Sequence, residues 1–469
     1  MGISRRQILA GGAALSVMRV LELGWGGKSF ASEGFGPLVP DPNGLLDLPA
    51  GFSYRVFGRA GDPMYDLKRQ MVGLTPGAHD GMAAFVGPRG TTILVRNHEL
   101  GPSTSDNGIV IPTAQRYDAG RSGGYVRGGT TTLVVDKANT LVASWPSLGG
   151  TSTNCAGGPT PWGSWVTCEE TTRVPETDPL VQERHGYTFE VAASATSPVE
   201  PIPLTAMGRF SHEALCVDPA TGFVYETEDS GTSLFYRFRP REPGNLGAGG
   251  VLEAMALVEF PEGVNTASRD VGLGAGPYAP FEFPAGREFE VEWVPIERPD
   301  WGPGEESCQE QGRRLGAAVI RRGEGIWWSA NDQAAYVVST NGGVAGRGQI
   351  FRYAPNGGTR GGGTFSLHME APAGVDSGPE ATWAAPDNIT VAPWGDLVLC
   401  EDGGGEEFLW MVSKNLGVFR FARNALSGGE FAGACFARHG RTLFVNIQSP
   451  GMTFAITGPF RPLHSMSGY

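Results

Sequence analysis

A chain of 469 residues can bury a sizeable core in one large domain or two ordinary ones. Its 71 glycines and 35 prolines, with only 18% charged residues, point to many short strands joined by turns and exclude a disordered chain of low hydrophobicity. A net charge of −13 excludes a nucleic-acid-binding surface, which needs a basic footprint, yet leaves phosphate binding open where cations reverse the local sign.

The N-terminus reads as an export signal. Ser4-Arg5-Arg6-Gln7-Ile8-Leu9 is a twin-arginine pattern, and the apolar stretch from Ile8 to Met18 is too short to span a bilayer. Cleavage after Ala31 would leave residues 32–469 as one mature domain in the periplasm or outside the cell. The twin-arginine machinery carries folded proteins, which suits a cofactor loaded in the cytoplasm. Folding in a reducing compartment makes most of the six cysteines (Cys155, Cys168, Cys216, Cys308, Cys400 and Cys435) buried small hydrophobes rather than disulfides.

Beyond Gly51 the chain repeats a strand–turn–strand unit. The strand Ile93 to Val95 ends on Asn97-His98-Glu99. The small-residue loop Asn154-Cys155-Ala156-Gly157-Gly158 leads into Ser164-Trp165-Val166-Thr167-Cys168-Glu169-Glu170, an apolar run closing on adjacent carboxylates. His212-Glu213-Ala214-Leu215-Cys216 passes through Thr221-Gly222 into Phe223-Val224-Tyr225-Glu226-Thr227-Glu228-Asp229. A segment rich in Pro, Gly and Glu, about 264–314, reads as an insertion. Arg322-Gly323-Glu324-Gly325-Ile326 then leads to Ala335-Tyr336-Val337, Pro386-Asp387-Asn388 to Leu397-Val398-Leu399-Cys400-Glu401-Asp402, and Gly433-Ala434-Cys435-Phe436 to Leu443-Phe444-Val445. An antiparallel hairpin brings its two open ends together, so the polar ends of each unit meet. Self-similar units of this kind are expected to form an all-β propeller with insertions between blades, with the carboxylate ends at one mouth of its channel.

Gathered carboxylates repel and need cations among them. The candidate ligands are Glu99, Cys168, Glu169, Glu213, Glu228, Asp229, Glu324, Asp387, Glu401 and Asp402. Their oxygens suit Ca²⁺; the Cys168 thiolate would call for a softer or higher-valent ion such as iron. His98 and His212 are read as hydrogen-bonding groups at strand ends. With seven histidines and no His-Glu-x-x-His pair, a zinc hydrolase has no support, and no Gly-x-Ser-x-Gly elbow supports a serine hydrolase. Arg322 is the candidate for gripping an anion, and Asn154 can donate to an oxyanion.

This combination of motifs, from the twin-arginine signal to Phe460, resembles the PhoX family of bacterial alkaline phosphatases. The resemblance implies a six-bladed propeller and a cofactor of ferric (Fe³⁺) and calcium (Ca²⁺) ions that binds the phosphate. By the same resemblance Cys168 would be the thiolate ligand of iron, Glu213 and Glu324 would be cluster carboxylates, and Asn154 and Arg322 would hold the phosphate. Glu99, Glu169, Glu228, Asp229, Asp387, Glu401 and Asp402 would be the remaining ligands. The chain is shorter than larger members of the family, mainly between Thr171 and Phe210. The expected activity is that of a monomeric exported phosphomonoesterase acting on small phosphate esters. A calcium-dependent propeller lactonase or esterase, which leaves Cys168 unexplained, and a non-catalytic exported propeller are the alternatives.

Overall fold

A computed structural model of the protein describes residues 34–102, 106–121, 125–356, 361–413 and 417–460. The expected export signal lies outside these residues. No helix among the described residues is long and apolar enough to cross a membrane.

The fold is all-β, a propeller-like ring of antiparallel sheets. The hairpins read from the sequence are present: His212–Val217 pairs with Val224–Glu228, Gly323–Ser329 with Ala334–Ser339, Pro386–Val391 with Leu397–Glu401, and Phe431–Phe436 with Thr442–Ile447. Two more, His79–Val86 with Thr92–His98 and Asn154–Pro159 with Ser164–Glu169, complete the set. The first strands of these hairpins pack each against the next around the axis, and Phe431–Phe436 returns to His79–Val86. Closure comes from the N-terminal side: Ser53–Phe57 pairs with Met452–Thr457, so an early strand and the last described strand share one sheet.

The expectation of six separate blades is corrected. Four sheets have four or more strands, and one of them has nine. The cause lies in the insertion: Phe289–Pro295 hydrogen-bonds Gly250–Leu257 on one side and Gly363–Glu370 on the other, welding two hairpin units into one sheet. The sheet begun by Asn154–Pro159 has only three strands.

The first strands crowd the axis. A Cβ added to Gly81 would lie 2.5 Å from the Ala156 Cα, and one added to Gly433 would lie 2.4 Å from the Asp80 carbonyl oxygen. Small residues here let neighbouring backbones meet, and Trp327 packs among the strands below. The axial space left beside Gly81, Ala156, Gly325 and Trp327 is about 20 Å³, room for about one water. Because the Gly81 clash is with backbone, Gly81→Ala is expected to cost about 1–3 kcal/mol, read as a lowered midpoint in denaturant titration; an unchanged midpoint would show that the ring can widen.

Candidate metal centre

All six hairpins carry a β-bulge at the same step of the first strand. The register shifts fall between His79 and Met82, Asn154 and Gly157, His212 and Leu215, Gly323 and Ile326, Pro386 and Ile389, and Ala432 and Cys435. A bulge re-aims the side chain it carries. The first bulged residues are Asp80, Cys155, Glu213, Glu324 and Asp387, with Gly433 in the last hairpin. Opposite them, just past the register partners His98, Glu169, Glu228 and Glu401, stand Glu99, Glu170, Asp229 and Asp402.

With Glu430, which precedes the strand Phe431–Phe436, these side chains form three groups that bring one ligand atom each within 4.8 Å of one another: Cys155, Glu170 and Glu213; Glu213, Glu324 and Asp387; and Asp80, Glu99 and Glu430. The crowding is visible in their acidities. Burial first, and then Asp402 and Glu99, push Asp387 up to about 7. Burial and the neighbouring Asp229 push Glu170 to about 10. Glu213, Glu324, Asp80 and Glu430 are all driven well above the carboxylate range, by burial and then by neighbouring charge, that of Asp387 for Glu213, Glu324 and Glu430 and that of Glu99 for Asp80. The Cys155 thiol is raised by burial, Glu213 and Glu170, and it donates toward the His212 and Glu213 carbonyls at 3.3 and 3.4 Å. Asp80 Oδ1 is buried without a hydrogen-bond partner. Crowded carboxylates with an orphaned oxygen fit hard cations, and the thiol beside Glu170 and Glu213 fits iron.

The adjacent carboxylates of the sequence part company, because successive side chains of a strand point to opposite faces. Asp229, Glu170 and Asp402 go to the mouth; the oxygens of their neighbours are taken up by nearby donors, although Glu401 still lines the rim cavity. Glu228 accepts from Tyr236 Oη at 2.9 Å and Gln309 Nε2 at 2.7 Å. Glu401 accepts from the Ala384 and Phe408 backbone amides. Glu169 is held by His185 Nδ1 at 2.7 Å and by backbone amides. Cys168 sits deeper in its sheet, in an apolar cluster with Val166, Met207 and Leu215, and joins none of the three groups. Asn154 is also outside them: its Nδ2 donates to Thr167 Oγ1 at 3.0 Å and its Oδ1 accepts from Thr151 Oγ1 at 2.6 Å. His98 and His212 take hydrogen-bonding roles, with the Gly77 and Gly208 carbonyls respectively.

The residues passed over in the sequence are Asp80, Cys155, Glu170 and Glu430. Two of them carried a signal. His79-Asp80-Gly81 and Asn154-Cys155-Ala156 match His212-Glu213-Ala214 and Gly323-Glu324-Gly325 as a ligand-type residue followed by a small one at the start of a hairpin.

Arg322 stands at the rim with φ +45, its backbone pinned by its amide to the Ser230 carbonyl. Its Nε and Nη2 each lie 2.7 Å from an Asp229 oxygen, and Nη2 is 3.2 Å from Glu324. The Asp229 fork raises the guanidinium further, so it stays charged. Nη1 is left over for a ligand. A cavity of about 240 Å³, lined by Arg322, Asn341, Arg347, Asp402 and Glu407, opens beside it.

The raised carboxylates give the metal-free protein a definite pH dependence. Each stabilises the fold while protonated, fully below its unfolded value near pH 4, and that contribution is lost as pH rises through the folded value, about 7 for Asp387 and about 10 for Glu170. After treatment with a chelator, the melting temperature is expected to fall between about pH 4 and pH 10, and added calcium should restore more of it at pH 9 than at pH 5. A flat profile would mean that the carboxylates do not crowd.

A family model described as "Alkaline phosphatase PhoX" matches residues 33–143 and 135–451. Among curated proteins no sequence matches the chain. Among solved structures, PhoX of Pseudomonas fluorescens in complex with vanadate, a transition state analogue, is similar with a TM-score of 0.63 at 17% identity, over 92% of this chain and 98% of that one. The periplasmic gluconolactonase PpgL of Pseudomonas aeruginosa aligns with a TM-score of 0.39 at 13% identity, over 85% of this chain and 89% of that one.

Proposed function

We propose that this chain, which belongs to the PhoX family of alkaline phosphatases and is a phosphoric monoester hydrolase, works with a mixed iron and calcium centre at the mouth of its ring. The observation that carries this reading is the convergence of three ligand groups, one with a thiol, on residues re-aimed by matching bulges. Cys155, Glu170 and Glu213 would hold iron, and Cys155 takes the role that the sequence suggested for Cys168. Glu213, Glu324 and Asp387 would hold a cation that shares Glu213, and Asp80, Glu99 and Glu430 would hold calcium. When bound, these cations supply Lewis-acid neutralisation of the phosphoryl oxygens.

The chain's own residues do the rest. Asp229 and Glu324 fix the Arg322 fork, so its free Nη1 points a charged donor at a phosphoryl oxygen without having to be ordered first. The near-closed axis leaves the rim as the route for water and ester. The rim cavity of about 240 Å³ suits small monoesters rather than polymers. Arg5-Arg6 and the apolar segment after them favour export of the folded, loaded protein by the twin-arginine route to the periplasm or beyond, where it would act as a monomer.

Hydrolysis of p-nitrophenyl phosphate at alkaline pH, with elemental analysis of the same preparation, tests the reading. Iron together with calcium, and activity abolished by a chelator, is expected. Calcium alone with lactone turnover and no phosphate release would overturn it. Arg322→Ala is expected to raise KM about 10–100-fold, the worth of one charged hydrogen bond, and to leave metal content unchanged.

A further inference from the structure

We infer that Asp118, His185 and Glu169 form a buried clasp that positions Cys155 and Glu170 as ligands, an inference that rests on the metal-centre reading above. His185 is fully buried, with Nδ1 2.7 Å from Glu169 Oε1 and Nε2 3.2 Å from Asp118 Oδ2. An imidazole that faces a carboxylate on each side donates from both nitrogens, as an imidazolium. Burial opposes that charge, and the two carboxylates outweigh it, holding His185 at about 9.

Each carboxylate in turn gathers backbone. Glu169 accepts from the amides of Ser152 at 2.8 Å, Gly186 at 2.9 Å and Tyr187 at 3.3 Å. Asp118 accepts from those of Gly120 at 2.6 Å, Gln182 at 2.7 Å and Glu183 at 3.0 Å. Tyr117 sets its ring edge-on to His185 and donates its hydroxyl to the Arg184 carbonyl at 2.6 Å.

The clasp ends beside two ligands. Ser152, held by Glu169, lies three residues before Cys155. Glu170 follows Glu169 directly, and its amide donates to the Thr153 carbonyl at 2.9 Å. The two segments that carry Cys155 and Glu170, two of the three members of the Cys155–Glu170–Glu213 group, are therefore fixed by one carboxylate, and that carboxylate is fixed by His185. Packing alone would not select three buried charges, because desolvating them costs more than filling the same space with apolar side chains. What they add is orientation of the backbone that presents the thiol and the carboxylate, as outer partners do for metal ligands elsewhere. All three are positioning residues; none reaches the substrate.

The test uses full-length protein loaded with ferric iron and calcium. His185→Gln is expected to keep the wild-type circular dichroism and to lose iron to a chelator about 10–100-fold faster, with a weakened thiolate-to-iron absorption band. Phe444→Leu, a core change near the turn end of another hairpin, should lower the melting temperature and keep the wild-type release rate. An unchanged release rate in His185→Gln, or equal acceleration in Phe444→Leu, overturns the clasp. If His185→Gln fails to fold, Asp118→Asn, which cuts one arm only, is read against the same two outcomes. A wild-type protein that binds neither ion overturns the metal reading itself, whereas a loaded wild type with indifferent variants overturns the clasp alone.

Discussion

Glu213→Gln protein is expected to lose phosphatase turnover by about 10³-fold and to be purified with depleted metal. Glu213 stands in two of the three ligand groups, so one substitution weakens both. The amide keeps the shape of the side chain and removes a charge that helps hold protons on its neighbours: Glu213 raises the pKa of Cys155, and Asp387 and Glu324 raise that of Glu213. The same change therefore has an opposite effect on the metal-free fold. With one crowded carboxylate fewer, chelator-treated Glu213→Gln should melt above chelator-treated wild type at pH 9. Lost activity with gained metal-free stability is a pairing that simple misfolding cannot produce. Glu228→Gln is the matched contrast, since Glu228 is committed to Tyr236 and Gln309 below the mouth. It should keep its metal. Full metal and full turnover in Glu213→Gln would remove the centre from this site.

The hairpins were legible because strand, turn and strand follow one another locally, and turn residues mark each reversal. The sheets were not. Whether Phe289–Pro295 stays in an insertion loop or bridges Gly250–Leu257 to Gly363–Glu370 depends on edges brought together only in the folded ring. The same limit governed the ligands. Sequence marked Glu169-Glu170, Glu228-Asp229 and Glu401-Asp402 as pairs, but strand alternation sends one member of each to the mouth and one into the sheet. Which one goes where depends on register, and register here is set by the bulges in the facing strands. Asp80 was hidden for a related reason. Nothing near it is acidic in sequence; its partners Glu99 and Glu430 arrive from the neighbouring strand and from the far end of the chain.

The sharpest consequence of the bulges concerns the cysteines. Cys155→Ala is expected to remove iron and its charge-transfer band, leave calcium largely in place, and lower turnover at least about 10²-fold. Cys168→Ala should keep iron, band and turnover, and cost about 1 kcal/mol of stability from its apolar cluster. Both thiols are buried and both are raised, so burial and acidity do not separate them. Their neighbours do. Cys155 feels Glu213 and Glu170, two members of its own ligand group, whereas the charge acting on Cys168 is that of Glu226 alone, which stands 3.4 Å from His212 Nδ1 and joins no ligand group. A cation that binds between Cys155, Glu170 and Glu213 relieves all three at once and reverses the drive on the thiol, from holding its proton to releasing it. At Cys168 there is a single carboxylate, Glu226, and an ion there would gain no second acidic residue. Iron lost from Cys168→Ala and kept in Cys155→Ala would therefore refute the assignment of the thiolate, and with it the claim that the bulge position in each hairpin is the one that meets the metal.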